Sequence, residues 1–307
     1  MKISSNQFLS FFILILTVTV GISCQNSGAN SADENSTNAT ENEESTRIIS
    51  LSGFLTELLF ALDMGDQVVG VDVTSTYPEQ VNGLPKLGHI TQLNAEGILS
   101  LNPDIIFVQE EQARRTEALA QLENSAVEIV PIPVSHTLSN PVNVAKTIAQ
   151  HVTIDPQSIQ NLQAQVTRDS LALKEYLKDK TEKPSVLFIY ARGGGNLMVA
   201  GNNTNAQAII ELAGGKNAIT AFDQFRALTP EALVQASPDV ILIFDSGLEA
   251  INGKEGLASV PGISQTAAFK NDRIIAMDGH YLTSFGPRTG QAALELAKEF
   301  FNPNPEM

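Results

Sequence analysis

The sequence predicts an α/β protein of two similar βα lobes joined by a single long backbone helix. Three observations carry this. Short apolar runs alternate with helical stretches, the two halves of the chain match each other, and a central stretch of more than 20 residues lacks both Gly and Pro. The 307 residues are also too many for one ordinary core and suit two.

The elements follow in order. Arg47-Ile-Ile-Ser-Leu51 reads as a buried strand. Thr56 to Leu62 reads as a helix with Leu58, Leu59 and Leu62 on one face, ending near Gly65. Val68–Val71, Ile105–Val108 and Val127–Val130 are further strands. Short apolar strands separated by helices argue for a parallel sheet. Pro156 opens the long helix, whose apolar positions are Ile159, Leu162, Val166, Leu173 and Leu177. A second series comprises Val186–Tyr190, Ala206–Leu212, Val240–Phe244, Ile274–Met277 and a final helix, Gln291–Phe301. This places an N-terminal lobe at 47–155, the connecting helix at 156–182 and a C-terminal lobe at 183–307.

Residues 1–23 carry Lys2, an apolar run from Phe8 to Val20 and small residues before Cys24, the pattern of a secretion signal. A Cys directly after such a leader resembles the bacterial lipoprotein box, which implies lipidation of Cys24 and a membrane anchor. The alternative is a plain signal peptide with a chance Cys. Residues 24–46 are Asn, Ser, Thr, Glu and Asp with almost nothing apolar, and are expected to form a disordered acidic tether.

Composition excludes several functions. The net charge of −15 repels nucleic-acid phosphates, so no nucleic-acid partner is expected. One Cys rules out an intrachain disulfide and a Cys-rich metal site. The absence of a Gly-x-Ser-x-Gly motif and of a paired Ser/His set argues against a secreted hydrolase, and no enzyme is expected. Gly193-Gly-Gly195 lacks the Lys-Ser/Thr of a phosphate loop.

The self-match is the most informative feature. Asn94-Ala-Glu96 leads to Pro103-Asp104 and an apolar strand, and Thr229-Pro-Glu231 leads to Pro238-Asp239 and another, with equal Glu-to-Asp spacing. Asn94 and Thr229 suit N-caps, and Pro230 suits a first helical position. Upstream, Glu57 to Gly65 parallels Ala208 to Gly215. A first-turn carboxylate is favoured by the helix dipole alone. The second explanation for Glu96 and Glu231 is one exposed carboxylate per lobe, presented to a two-fold symmetric basic partner.

Two lobes, one connecting helix and a lipid anchor resemble the helical-backbone class of substrate-binding proteins of ABC importers, whose lobes are Rossmann-like. Within that class, Val69–Pro78, Leu87-Gly-His89, Leu93–Gly97, Ala191–Gly195, Met198–Gly201 and Met277–Thr289 are similar to the haem-binding branch. The resemblance spans roughly Arg47 to Phe301. It implies a lipoprotein of the periplasm or cell envelope that captures haem (hemin) as its transported ligand in the inter-lobe cleft. Delivery would be to an ABC transporter permease and ATPase complex, with Glu96 and Glu231 docking on the permease. The alternative is the same fold binding cobalamin or an iron-siderophore.

The resemblance makes Tyr77 the axial ligand, meeting metal only through the haem iron. The chemistry suits it, since tyrosinate is a hard anionic donor for ferric iron, and Tyr77 follows a strand end, where such sheets bind ligands. The alternative is a packing tyrosine in a loop. A nearby Arg would favour the ionised phenol, and Arg226, just before the second capping motif, is the candidate; otherwise it is a solvated surface Arg. Arg192 is a candidate for a haem propionate, beside glycines that let backbone approach a flat ligand. His89 is a candidate for the pocket wall or a second axial ligand. His280 with Tyr281, and His136, are further candidates to reach the cleft, while His151 is expected at the surface. Glu96→Lys or Glu231→Lys is expected to abolish haem uptake in cells while leaving haemin binding intact. Loss of binding in a haemin titration of either variant would refute the docking assignment.

Overall fold

The computed structural model describes residues 45–302 apart from 193–195. Cys24, the leader and nearly all of the acidic tether lie outside the described residues. The described part belongs to one compact unit.

In the first half, strands β1 (Ile48–Ser50), β2 (Val68–Val71), β3 (Ile105–Gln109) and β4 (Glu128–Ile132) form a parallel sheet in the order β2-β1-β3-β4. Successive side chains of a strand point to opposite faces. Ile48 and Phe107 accordingly enter one core, and Ile49 and Ile106 enter another on the far side. All four are fully buried, so both faces of the sheet are covered and the strands read as continuous apolar runs. Helices α1 (Gly53–Ala61), α2 (Ala95–Leu99) and α3 (Asn140–Ile148) belong to this lobe.

The long helix α4 (Pro156–Leu177) has Pro156 in its first turn and Asp155 as cap, its carboxylate accepting the Gln157 N–H at 2.9 Å. Leu162 packs into the first lobe's core and Leu173 into the second's. One rigid element is therefore shared by both cores.

The second half contains β5 (Ser185–Arg192), β6 (Asn196–Ala200), α5 (Asn205–Leu212), β7 (Lys216–Asn217), β8 (Phe225–Ala227), α6 (Pro230–Ala236), β9 (Val240–Phe244), β10 (Ile274–Met277), α7 (Gly279–Thr283) and α8 (Thr289–Phe301). The sheet order is β10-β9-β5-β6-β8, with β7 also paired to β5. The parallel set β7-β5-β9-β10 repeats β2-β1-β3-β4 of the first lobe.

The repeat extends to single hydrogen bonds. The Asp104 carboxylate accepts the N–H of Arg47 at 2.8 Å, and Asp239 accepts that of Ser185, also at 2.8 Å. Each Asp thus ties the start of its lobe's central strand to the turn before the next one. Asn94 accepts the Gly97 N–H and Thr229 that of Ala232, capping α2 and α6 as their sequences suggest.

The second sheet departs from the all-parallel expectation. β6 is antiparallel to β5, and β8 is antiparallel to β6. Three residues separate β5 from β6, too few for a crossover helix, so the pair can only be antiparallel. Among the described residues, no helix is long and apolar enough to cross a membrane.

Asp104→Ala and Asp239→Ala should each lower stability by about 1 kcal/mol, the net worth of one hydrogen bond. Urea unfolding checks this, and equal losses are expected because the two bonds are equivalent.

Candidate functional site

Tyr77 stands on a braced loop at the C-terminal end of β2. Asp72, only 2% exposed, accepts the Thr74 hydroxyl at 2.6 Å and the Ser75 hydroxyl at 2.7 Å. Thr56 of α1 bonds to Ser75 Oγ at 2.8 Å, and the Gly53 N–H donates to Thr74 Oγ1 at 3.0 Å. Lys86 Nζ donates to the Ser75 carbonyl at 2.6 Å. Burial lowers the Lys86 pKa, and the Asp72 charge opposes that. The Tyr77–Pro78 peptide bond is cis. Tyr77 itself is 42% exposed.

The second lobe reaches this tyrosine through the segment after α7. The Arg288 guanidinium lies 3.6 Å from the centroid of the Tyr77 ring and 5.0 Å from that of Tyr281. Its Nε and one terminal nitrogen donate to the two Glu57 oxygens, both at 2.9 Å. His280 Nε2 lies 2.7 Å from Glu57 Oε2. The Glu57 side chain is 3% exposed, on an α1 face otherwise buried among Phe54, Leu55, Leu58 and Leu59. An ionised carboxylate there would cost several kcal/mol without partners. Burial alone would raise its pKa, but the hydrogen bonds and charges of His280 and Arg288 prevail and hold it below the usual carboxylate value. Gly53 permits the approach, since a Cβ there would lie 2.6 Å from His280 Nδ1.

Neighbouring contacts seat the same segment on the first lobe. Asn140 Nδ2 donates to the Phe285 carbonyl at 3.1 Å, and Gln165 Nε2 of α4 donates to the Pro287 carbonyl at 3.2 Å. Phe285 is fully buried at φ +55°, a left-handed conformation that costs a residue with a bulky side chain about 1–3 kcal/mol. A cavity of about 290 Å³ lies beside Tyr77, bounded by Phe60, Pro78, Gln165 and Arg288.

The structure thus brings Arg288, rather than Arg226, onto Tyr77. Arg226 sits exposed on β8 with its guanidinium 4.6 Å from the Phe222 ring centroid. Arg192 ends β5 opposite Asn196, and Gly193–Gly195 lie outside the described residues. His89 is exposed and caps a short turn, its Nδ1 accepting the Thr91 N–H at 3.3 Å. His136 packs against Phe285 at 4.9 Å between ring centroids, and burial lowers its pKa. His151 pairs with Glu128 at 2.7 Å. His280 is committed to Glu57. Burial, then the charge and hydrogen bond of Glu295, push the Tyr281 phenol up to about 12, so it stays protonated at neutral pH. Glu96 and Glu231 are both exposed in the first turns of α2 and α6.

Sequence reasoning did not single out Glu57 or Arg288. The available signal was a lone carboxylate inside the apolar helix sequence Gly53-Phe-Leu-Thr-Glu-Leu-Leu-Phe-Ala61, which demands a buried cation. It also missed an aromatic wall, in which Tyr190 lies 5.9 Å from Phe225 and 5.7 Å from Phe244. These rings pack with Tyr281 on the second core.

The periplasmic binding protein family matches residues 48–281. The chain belongs to that family. Among solved structures it is similar to the periplasmic heme-binding protein RhuT from Roseiflexus sp. RS-1 in apo form, 42% identical with a TM-score of 0.79, over 84% of this chain and 98% of that one. It is also similar to the periplasmic heme-binding protein BhuT in complex with two hemes, 34% identical with a TM-score of 0.77, over 83% of this chain and 97% of that one. Among curated relatives, the ABC transporter substrate-binding lipoprotein YvrC of Bacillus subtilis is 27% identical over 88% of this chain and 84% of its own. The vitamin B12-binding protein of Vibrio parahaemolyticus is 24% identical over 84% of this chain and 90% of its own.

The Glu57 cluster makes stability depend on acid in a defined direction. The folded-state pKa lies below the ordinary 4.5, so the contribution is full above that value and is lost as pH falls through the depressed pKa. Glu57→Gln should flatten this part of the acid-unfolding profile. An unchanged profile would show that folding does not depress the Glu57 pKa.

Proposed function

We propose that this chain is the binding component of an ABC importer and captures haem between its lobes as the transported ligand, without catalysing a reaction on it. The observation that carries the reading is Tyr77. It is an exposed phenol on a strand-end loop braced by Asp72, with an arginine fixed on its ring. Tyrosinate is a hard anionic donor that suits ferric iron. The partly buried Tyr190, Phe225 and Phe244 supply apolar surface of the kind that flat ligands need. The heme-binding names of the similar solved structures support the same ligand.

Arg226, Arg192 and His89 are carried as further haem contacts on the sequence pattern alone. Lipidation of Cys24 would hold the protein to the membrane of the cell envelope, in keeping with the lipoprotein name of the Bacillus relative. Glu96 and Glu231, exposed on equivalent capped helices, are proposed to dock on the permease that works with the ATPase. A cobalamin reading is favoured by the vitamin B12-binding relative.

The deciding experiment is a haemin titration of the full chain followed by absorbance, with Tyr77→Phe and cyanocobalamin in parallel. The expected result is a saturable high-spin ferric spectrum of tyrosinate type that Tyr77→Phe loses. Binding of cyanocobalamin without a haemin response would move the ligand to cobalamin.

A further inference from the structure

Among the described residues, five large apolar side chains are strongly exposed: Val73, Tyr77, Leu99, Leu171 and Val234. Val73 and Tyr77 belong to the loop after β2, and Leu171 lies on α4. The other two stand at the same place in the repeat. Leu99 follows Glu96 by three residues on α2, and Val234 follows Glu231 by three on α6. Residues three apart share a helix face, so each carboxylate has an apolar neighbour about 5–6 Å away between Cβ atoms. One position earlier, Ile98 and Leu233 are buried and fix how each helix faces its lobe. Leu99 is 41% exposed and Val234 80%. A β-branched residue loses rotamer freedom in a helix, and Val234 gains little burial in return. Single exposed apolar residues are ordinary on a protein surface. One beside each capped glutamate, at equivalent positions of two lobes, calls for a shared cause.

We infer that Leu99 and Val234 are apolar contact residues for the permease, one beside each docking glutamate, and that the partner offers each lobe a cation next to an apolar socket. This rests on the reading of Glu96 and Glu231 as docking residues. An exposed ion pair by itself contributes little and fades with salt. An apolar side chain seated next to it keeps water from the pair and adds attraction that salt does not screen. Two equivalent patches on one chain fit a partner that repeats its own surface about a two-fold axis. The carboxylates disfavour the other occupants. An anionic lipid surface would repel each patch, and a second copy of this chain would set carboxylate against carboxylate.

The test uses the full chain carrying Cys24→Ser, so that a lipid on the single cysteine does not contribute to binding. The probe is the ABC permease–ATPase complex whose deletion stops ligand uptake in the producing cells, held in lipid nanodiscs. Its affinity is measured for Leu99→Gln, Val234→Thr, the double variant of these two, and Glu96→Gln/Glu231→Gln. Val234→Thr keeps the shape and the branching and changes only polarity. Haemin titration and urea unfolding report on the fold of each variant. Binding to phosphatidylcholine–phosphatidylglycerol vesicles and sedimentation of the chain alone test the other two occupants.

Leu99→Gln and Val234→Thr should each bind the complex about tenfold more weakly, the scale of placing a polar group in an apolar socket. The double variant should lose about a hundredfold, since patches on different lobes act independently. These losses should persist at about 1 M salt, where screening shrinks the loss seen in Glu96→Gln/Glu231→Gln. Haemin binding and the unfolding midpoint should stay unchanged, because both positions are on the surface. Affinity within about twofold of the unsubstituted chain in the double apolar variant overturns the inference, provided that the glutamate variant loses binding; that outcome leaves the docking reading standing. Full affinity in the glutamate variant overturns the docking reading and this inference with it. Vesicle binding or self-association that the double apolar variant loses, with affinity for the complex unchanged, would assign the patches to a lipid surface or to a second copy and overturn the permease contact.

Discussion

A carboxylate buried in an apolar helix has to be neutralised from outside that helix, and in this protein the other lobe does it. Glu57 lies at 3% exposure on a helix buried at Phe54, Leu55, Leu58 and Leu59, and both of its side-chain partners, His280 and Arg288, come from the second half of the chain. Removing one partner from such a cluster is far more costly than losing a surface ion pair, because a charge would remain in a low-dielectric site. The first lobe is therefore incomplete without α7, which carries His280, and the segment after it, which carries Arg288. The shared helix α4, with Leu162 in one core and Leu173 in the other, makes the same dependence mechanical.

That constraint explains the local backbone. Phe285 accepts a left-handed conformation while fully buried, and its carbonyl is held by Asn140 of the first lobe. Strain of this kind persists only where surroundings over-determine it. Here the surroundings are the Asn140 and Gln165 hydrogen bonds on one side of Arg288 and its own bonds to Glu57. The arginine is thus placed over Tyr77 by packing and not by a flexible side chain finding a partner. With one helix spanning the lobes and the Glu57 cluster between them, large hinge closure is disfavoured.

The two lobes share one core plan, to which the second adds strands. Asp104 and Asp239 make the same bond to the start of the same strand, and α2 and α6 are capped alike. The second lobe adds the antiparallel β6 and β8 beside β5. This insertion brings Phe225 against Tyr190 on an aromatic face that the first lobe's purely parallel sheet does not repeat. The exposed Glu96 and Glu231 follow the repeat, and the aromatic face departs from it.

Periodicity and caps were legible because they are local. Strands buried on both faces read as unbroken apolar runs, the long helix announces itself by Pro156 and the lack of breakers, and the repeat shows in Glu96 and Glu231 without any coordinates. Tyr77 could be singled out because its motif is continuous in the chain. The antiparallel hairpin was missed because a short apolar run after a glycine stretch carries no record of strand direction. Arg288 could not be paired with Tyr77 or Glu57 from sequence, since they are more than two hundred residues apart and meet only after both lobes have packed on α4. The sequence by itself determined the lobes, their connecting helix and the tyrosine. Only the tertiary structure decided which arginine stands over that tyrosine, because the choice depends on a buried carboxylate whose partners no local pattern reveals.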